Sequence, residues 1–523
     1  MASVPASEPV YYDPYKVEIR TDPYPTYKRL RDEAPLYYNP EYDFYAVSRF
    51  ADVEQGLRDA NTYSSARGDI LEIIKSNAQF PRGIFIMEDP PLHTVHRSVV
   101  SKVFTPKKMN ALEPKIREFC GRCLDPLVGA GHFDFVRDLG AQMPMRVIGM
   151  LLGIPDQDLT VVRERADASL RTEAGKPMVI TERNFDGAGF EEYVKWRTKH
   201  PSDDLMTELL NTEFTDETGT VRKLDLEEIL AIVNIIAGAG NETTNRLIGW
   251  TGKVLAENPA VRREIAADRT LIPHAIEEIL RFEPPGPQVA RYVNHDTELY
   301  GKKIPQGTAM VFLVASANRD ERRYRDADRF DIHRDTRAHA VFGFGIHTCL
   351  GAALARVEGR VALDEILNRF PEWEVDYDNA VLSSTSSVRG WDTLPTFTSP
   401  GARPARPRSD AATVAKPSEP AATAPQPIEG KWTVTIKGPT GPMATTLTLE
   451  RVGDAITGTQ EGQGQSSAIR DARLEGDKLV WVNEVAKPMK LRLEFSAVIA
   501  GRSMSGKVKA GFMGSYPFTG VKE

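Results

Sequence analysis

The sequence predicts a mainly α-helical domain with small β-sheets, followed by a separate all-β antiparallel barrel domain at the C-terminus. Three observations carry that reading. Segments with a 3.6-residue hydrophobic period dominate residues 1–400, most strongly at 107–128, 140–152 and 224–257. Residues 401–427, GARPARPRSDAATVAKPSEPAATAPQP, are almost wholly Ala, Pro, Ser, Thr and charge. From 428 to 523 the hydrophobic period becomes two.

In chain order, TDPYPTYKRLRDEAP offers Thr21 or Asp22 as an N-cap, prolines in the first turn, a helical body, and Pro35 beyond its end. LYYNPEYDFYAVSR and TELYGKKIPQGTAMVFL supply short β patterns among the helices, and the helix over 224–257 closes at ENP. The 401–427 stretch lacks the apolar surface needed to offset ordering entropy, so it reads as an extended, flexible linker. After it, Trp432, Val434 and Ile436 alternate with Lys431, Thr433 and Thr435, and Leu491, Leu493 and Phe495 alternate with Lys490, Arg492 and Glu494. Glycine turns in RVGDA, EGDK and AGRS divide this region into short strands, the pattern of an antiparallel sandwich or closed barrel.

Composition narrows the function classes. With 41% hydrophobic and 27% charged residues and a net charge of -7, the balance is that of a globular protein, with no Lys/Arg block to track phosphates. A nucleic-acid partner is therefore not expected. The N-terminal MASVPASEPVYYDPYKVEIR has no apolar core flanked by positive charge, and EILAIVNIIAGAG is too short to span a bilayer. Three cysteines do not make a disulfide framework. No membrane association and a cytoplasmic location are expected.

One of those cysteines lies in FGFGIHTCLG, residues 342–351. Gly343 and Gly345 permit backbone geometry that side chains would forbid, and Cys349 stands just before the amphipathic helix of LGAALARVEGRVALDEIL. A thiolate there would be stabilised by the helix dipole and by free N–H groups. In IIAGAGNETTN, Gly238 and Gly240 each cost a helix about 1 kcal/mol relative to alanine, so their presence requires a reason. Thr243 can hydrogen-bond a carbonyl one turn back and open the helix locally, and Glu242 sets an ionisable group beside it. HTVHR places His93 and Arg97 on one helical face, VARYV places Arg291 on a strand, and EEILR sets Glu278 three residues before Arg281. Cys120 and Cys123 match C-x-x-C but lie on an amphipathic helix, where a chance spacing of buried thiols is the better reading, and Asn241 needs no ligand role.

FGFGIHTCLG resembles the haem-binding loop of the cytochrome P-450 superfamily, and the resemblance extends over the first 400 residues, including VRGWDTLPTF at 388–397. It implies the cytochrome P-450 fold and haem b as cofactor. Cys349 would be the axial thiolate of the iron, a ligation that the general haem principle itself gives for this family. Phe342 would pack near that ligand, His347 would face a propionate, and His93, Arg97 and Arg291 would supply further partners for the two propionates. Gly240 would let the macrocycle approach the long helix, and Thr243 and Glu242 would match the family's acid–alcohol pair that relays protons. Glu278, Arg281 and Arg334 would form a buried structural ion-pair group.

The implied activity is that of a bacterial-type monooxygenase, inserting one oxygen atom of O₂ into a hydrophobic small molecule by hydroxylation or epoxidation. Electrons would come from NAD(P)H through a separate ferredoxin and ferredoxin reductase, since no further redox domain is fused. By family position the substrate pocket would draw on residues near 70–86, on the 168–190 segment, on the long helix around Ala237, on Gln288 and Val289, and on Trp391. A peroxide-using peroxygenase and a non-catalytic haem sensor are the alternatives, both disfavoured by the pairing of Glu242 with Thr243. The C-terminal domain is similar in pattern to small calycin-like barrels, and the expectation for it is an interaction or assembly role, with homo-oligomerisation one form of it.

Overall fold

A computed structural model of the chain describes residues 9–180, 187–335, 338–385 and 387–398, and in the C-terminal part 429–438, 441–452, 455–462, 465–475, 478–485, 491–500, 503–510 and 515–522. The expected linker at 401–427 lies outside the described residues. The chain divides into two compact units, Met1–Pro407 and Arg408–Glu523.

Six helices of the first unit position the features described below: α1, Leu92–Ser101; α2, Met143–Leu152; α3, Leu159–Leu170; α4, Leu226–Glu257; α5, Ile272–Phe282; and α6, Ala352–Arg369. The start of α4 is fixed by its own sequence. Asp225 accepts a hydrogen bond from the Glu228 N–H at 2.8 Å, and the Glu228 carboxylate accepts from the Asp225 N–H at 3.0 Å, a capping box. The helix stops at Asn258, where Pro259 opens the next one. It is buried over most of its 32 residues, with Ile232, Val233, Leu247 and Leu255 inaccessible to solvent, which makes it the central rod of the core.

A five-stranded sheet flanks the helices: β1, Leu36–Asn39; β2, Phe44–Val47; β3, Tyr63–Ser64; β4, Val289–Val293; and β5, Ala309–Phe312, in the order β1-β2-β5-β4-β3. β5 runs parallel to β2 and antiparallel to β4, which sets Met310 opposite Arg291. All four residues of β5 are buried, as expected of a strand covered on both faces. The two sequence stretches that suggested strands form these hairpins, with Thr297–Leu299 and Lys302–Ile304 as a further pair.

Two details differ from the sequence expectation. The periodic segment 107–128 is not one helix: a short helix, Pro106–Asn110, is followed by Glu113–Leu124 and a 3₁₀ turn at Asp125–Leu127. Pro114 lacks an N–H and suits only a first turn, so a new helix begins there, and Pro126 closes it in the same way. The first long helix is Tyr24–Glu33, and its cap residue is Pro23 rather than Thr21 or Asp22. Thr21 instead ends a short helix, Val17–Thr21.

The second unit is a nearly closed antiparallel barrel of nine strands: β6, Gly430–Gly438; β7, Gly441–Val452; β8, Ala455–Gly462; β9, Gln465–Ala468; β10, Arg470–Glu475; β11, Lys478–Val485; β12, Leu491–Ala500; β13, Ser503–Ala510; and β14, Ser515–Lys522. Their order is β9-β8-β7-β6-β14-β13-β12-β11-β10, so the first strand pairs with the last. The open edges, β9 and β10, are consecutive in the chain, and the Ile469 N–H between them reaches the Gly458 carbonyl of β8 at 3.0 Å. The inward residues of the two-residue period fill the barrel. Trp432, Trp481, Phe495 and Phe518 are buried, Trp481 stacks on Phe495 at 4.7 Å, and Gln460 accepts from the Trp481 indole at 3.2 Å.

Candidate functional site

A cavity of about 230 Å³ lies in the first unit between α4 and the loop that precedes α6. Ile235, Ile236, Ala239, Gly240 and Thr243 line it from the helix, and Phe342, His347, Cys349, Leu350 and Gly351 line it from the loop. Both walls are the segments singled out in the sequence.

The loop holds its cysteine by backbone geometry. Gly343 and Gly345 have φ of +66° and +73°, a region that costs an L side chain about 1–2 kcal/mol, and a Cβ on Gly345 would lie 2.8 Å from the Leu57 carbonyl. A one-turn 3₁₀ helix, Gly345–His347, then turns the chain, and the Cys349 N–H donates to the Phe342 carbonyl at 2.8 Å. The thiol sits deep within the fold, yet the open cavity leaves it accessible. Burial pushes the thiol up, while the N–H groups of Gly351 and Ala352 at the start of α6 and the guanidinium groups of Arg97 and Arg356 pull it down. A metal cation at this sulfur would reinforce the second set.

Beside the loop, four nitrogen-bearing side chains converge. His93 and Arg97 lie one turn apart on α1, and Arg97 donates to the Thr348 carbonyl. The His93 and His347 rings are 4.3 Å apart, and all four of their nitrogens are buried without a hydrogen-bond partner. Burial, with Arg291, His93 and Arg97 nearby, pushes His347 down to about 3, so its ring is neutral. Arg291 is buried on β4, and Asp69 and Asp89 offset part of the cost of burying its charge. Orphaned imidazoles beside two guanidinium groups form a site for carboxylates. With the accessible thiol and the cavity between the two walls, these residues fit a haem.

On α4 the Thr243 hydroxyl donates to the Ala239 carbonyl at 2.8 Å, as the sequence suggested. No break interrupts the helix there; it is continuous from 226 to 257. Gly240 lines the cavity, and a Cβ there would collide with Ile148 of α2 at 2.4 Å, whereas Gly238 faces open space. Glu242 does not share the direction of Thr243. Successive helical residues point about 100° apart, and Glu242 is buried away from the cavity wall, 2.8 Å from Arg246. Asp167 on α3, hydrogen-bonded to Asn241, is raised to about 8 by burial and by the neighbouring Glu242.

Below the loop, Glu278 and Arg281 form a fully buried pair with two contacts of 2.7 Å. Arg281 also donates to the carbonyls of Asn318 and Ala327, both at 2.8 Å, and Arg334 reaches Glu278 at 3.4 Å. All three residues named from the sequence are thus brought together. Breaking such a buried pair typically costs about 3–5 kcal/mol, which is the weight of an internal brace.

The suggested pocket set is only partly assembled. Phe85 and Ile86 line the cavity. On the long helix around Ala237, Ile235, Ile236, Ala239 and Gly240 line it, while Ala237 itself is buried in the core. Gln288 accepts a hydrogen bond from Tyr12, Val289 opens strand β4 and packs against the cluster that holds Val47 and Phe312, and Trp391 lies against Trp250 with ring centres 5.7 Å apart. Residues 181–186 of the 168–190 segment lie outside the described residues. Cys120 and Cys123 are free thiols on the helix Glu113–Leu124.

Three groups escaped the sequence reading. Glu358 of α6 reaches the cavity wall, is buried, and accepts from Thr244 at 3.2 Å; burial raises it well above the carboxylate range. A lone glutamate on the apolar face of a helix was the available signal. The others are Asp167 and the buried His96, whose partners are remote in sequence.

The family model for cytochrome P-450 matches residues 183–390. A Mycobacterium tuberculosis protein named as cytochrome P-450 123 is 39% identical over 389 residues, covering 73% of this chain and 96% of the relative. Among solved structures, a mutant of P-450 EryK in complex with erythromycin B has a TM-score of 0.66 at 34% identity, covering 72% of this chain and 96% of that one. CYP109E1 of Bacillus megaterium in complex with testosterone has a TM-score of 0.65 at 29% identity, covering 73% and 99%. No helix among the described residues is long and apolar enough to cross a membrane.

His96, on α1 between the two cation positions, is clamped at both ring nitrogens. Nδ1 lies 2.8 Å from Glu88 and Nε2 lies 3.2 Å from Glu228, the capping residue of α4, which Arg222 also holds at 2.7 Å. Burial alone would lower this imidazole, but the two carboxylates raise it above its ordinary value. The stabilisation is therefore complete below about pH 6.5 and is lost as pH rises through the raised value. The difference in Tm between the wild-type protein and His96→Gln is expected to be largest in mild acid and to shrink as pH is raised; a pH-independent difference would contradict the clamp.

Proposed function

The chain belongs to the cytochrome P-450 family, and on that premise we propose how its own residues carry out a haem-dependent monooxygenase reaction. The carrying observation is the accessible thiol of Cys349 opposite Thr243 across one cavity, with four nitrogen-bearing side chains at its edge. Cys349 would bind the iron, and Phe342 would pack beside it. His93, Arg97, Arg291 and His347 would take the two carboxylates of haem b. When bound, the haem supplies O₂ activation by two electrons and delivery of one oxygen atom to the substrate.

The chain supplies positioning, exclusion of water and protons. The Thr243 hydroxyl spends its hydrogen on the Ala239 carbonyl at rest, which leaves its oxygen free to accept from water in the cavity. Passing a proton onward requires that hydroxyl to rotate. Glu242 serves as the acid behind it, held by Arg246 until its side chain turns toward Thr243. Asp167, with a carboxyl that keeps its proton near neutral pH, is placed to share in that supply.

For the substrate we take a neutral, hydrophobic small molecule, hydroxylated or epoxidised. Phe85, Ile86, Ile235, Ile236 and Ala239 provide apolar surface, and Arg97 and Glu358 are the charged residues in the described lining. One structural relative was solved with testosterone, a neutral hydrophobic molecule of that class. A separate ferredoxin and reductase would bring the electrons to the face of the Cys349 loop. Residues 1–400 would constitute the haem domain, 401–427 a tether, and 428–523 an interaction or assembly module.

Thr243→Ala should keep haem binding and NADPH consumption while most of the electrons go to hydrogen peroxide; product formation still fully coupled to NADPH would contradict the relay. Cutting the chain within 401–427 should leave residues 1–400 with unchanged haem content and turnover. Loss of haem on that cut would mean that the boundary is wrong.

A further inference from the structure

The thiol side of the loop carries a charge arrangement that none of the steps above uses. Glu277 of α5 and Arg356 of α6 form a two-pronged ion pair, with contacts of 2.7 and 2.9 Å. The Arg356 guanidinium lies 4.3 Å above the Phe342 ring, the residue whose carbonyl receives the Cys349 N–H. Arg356 follows Cys349 by seven residues, two helical turns, and both border the same open groove. On the other side of Glu277, His339 Nε2 approaches at 3.1 Å, and its ring is 5.6 Å from Phe342. Burial opposes the Glu277 charge, but hydrogen bonds from His339 and Arg356 hold the carboxyl down at about 2.

We propose that the Glu277–Arg356 pair sets the electrostatic potential at the sulfur of Cys349 and thereby tunes how readily the haem iron accepts its electron; Glu277 and Arg356 are positioning residues, and the proposal rests on Cys349 being the iron ligand. A cation near the sulfur stabilises the added negative charge of the reduced state, and an anion opposes it. A salt bridge far from the iron would act on fold alone, whereas this one is aimed at the ligand through an aromatic ring. Arg356 is among the charges that act most on the Cys349 thiol and Glu277 is not, so their effects at the sulfur do not cancel. Glu277 also fixes the plane of the guanidinium over Phe342, which a flexible lysine would not reproduce while keeping the charge.

The opposite signs of the two charges give the test. Full-length holoprotein is equilibrated with a reduced one-electron dye, so that one electron passes from the dye to ferric iron, and the ferrous fraction is read by absorbance. Arg356→Gln should lower the equilibrium constant for reduction by up to about tenfold, the order that Coulomb's law gives for a unit charge at about 10 Å in a partly solvated site. For a one-electron couple a tenfold change is about 59 mV. Glu277→Gln should raise the constant by a smaller factor, the double variant should fall between Arg356→Gln and wild type, and Arg356→Lys should stay within about twofold of wild type. Single variants that shift in the same direction, or loss of haem in Glu277→Gln alone, would assign the pair a structural role and overturn the proposal. If the reduced CO complex of the wild-type protein lacks a strongly red-shifted Soret band, the thiolate reading itself has failed; with the band present, the shifts test the tuning alone.

Discussion

A thiol is useful to a metal only if its loop has no freedom to turn it away, and that constraint organises the first unit. Gly343 and Gly345 take backbone angles that other residues resist, Gly345 is pressed against the Leu57 carbonyl, and the Cys349 N–H is tied to Phe342. Arg97 secures the Thr348 carbonyl from α1. Beneath, the buried Glu278–Arg281 pair fastens α5 to the carbonyls of Asn318 and Ala327, so the support of the loop does not depend on hydrophobic contacts alone. Helix α6 starts directly after the cysteine, and its first N–H groups face the sulfur.

The same unit buries several charges against partners of opposite sign. His96 bridges Glu88 to Glu228 and so joins α1 to the start of α4. Glu283 is held by Arg319 and Arg389, and Arg197 by Asp204. Left unpaired, any of these would cost several kcal/mol. Around the cavity, the imidazoles of His93 and His347 and one oxygen of Glu358 have no hydrogen-bond partner among the described residues. Two unsatisfied imidazoles side by side, with Arg97 and Arg291 near them, fit the carboxylates of a cofactor.

Much of this was legible in the sequence, for identifiable reasons. The cysteine loop declares itself because glycines at strained positions and a thiol before a helix are local features. The capping box at Asp225 and Glu228 is likewise local, and so is the Thr243 hydroxyl bond to a carbonyl one turn back. The barrel follows from alternation that places Trp432, Val434 and Ile436 inside. What failed depended on tertiary neighbours. The direction of Glu242 is set by Arg246 and Asp167, the occupation of Gln288 by Tyr12, and the burial of His96 by a residue 132 positions away. The break at Pro114 was local and available, but hydrophobic periodicity outweighed it.

The proposed reaction depends on one bond, from the Cys349 sulfur to iron. Iron K-edge X-ray absorption of the full-length holoprotein measures that bond directly. The account predicts one sulfur scatterer in the first coordination shell, absent from Cys349→Ser. A first shell of nitrogen and oxygen only, or a sulfur signal that survives in Cys349→Ser, would contradict it.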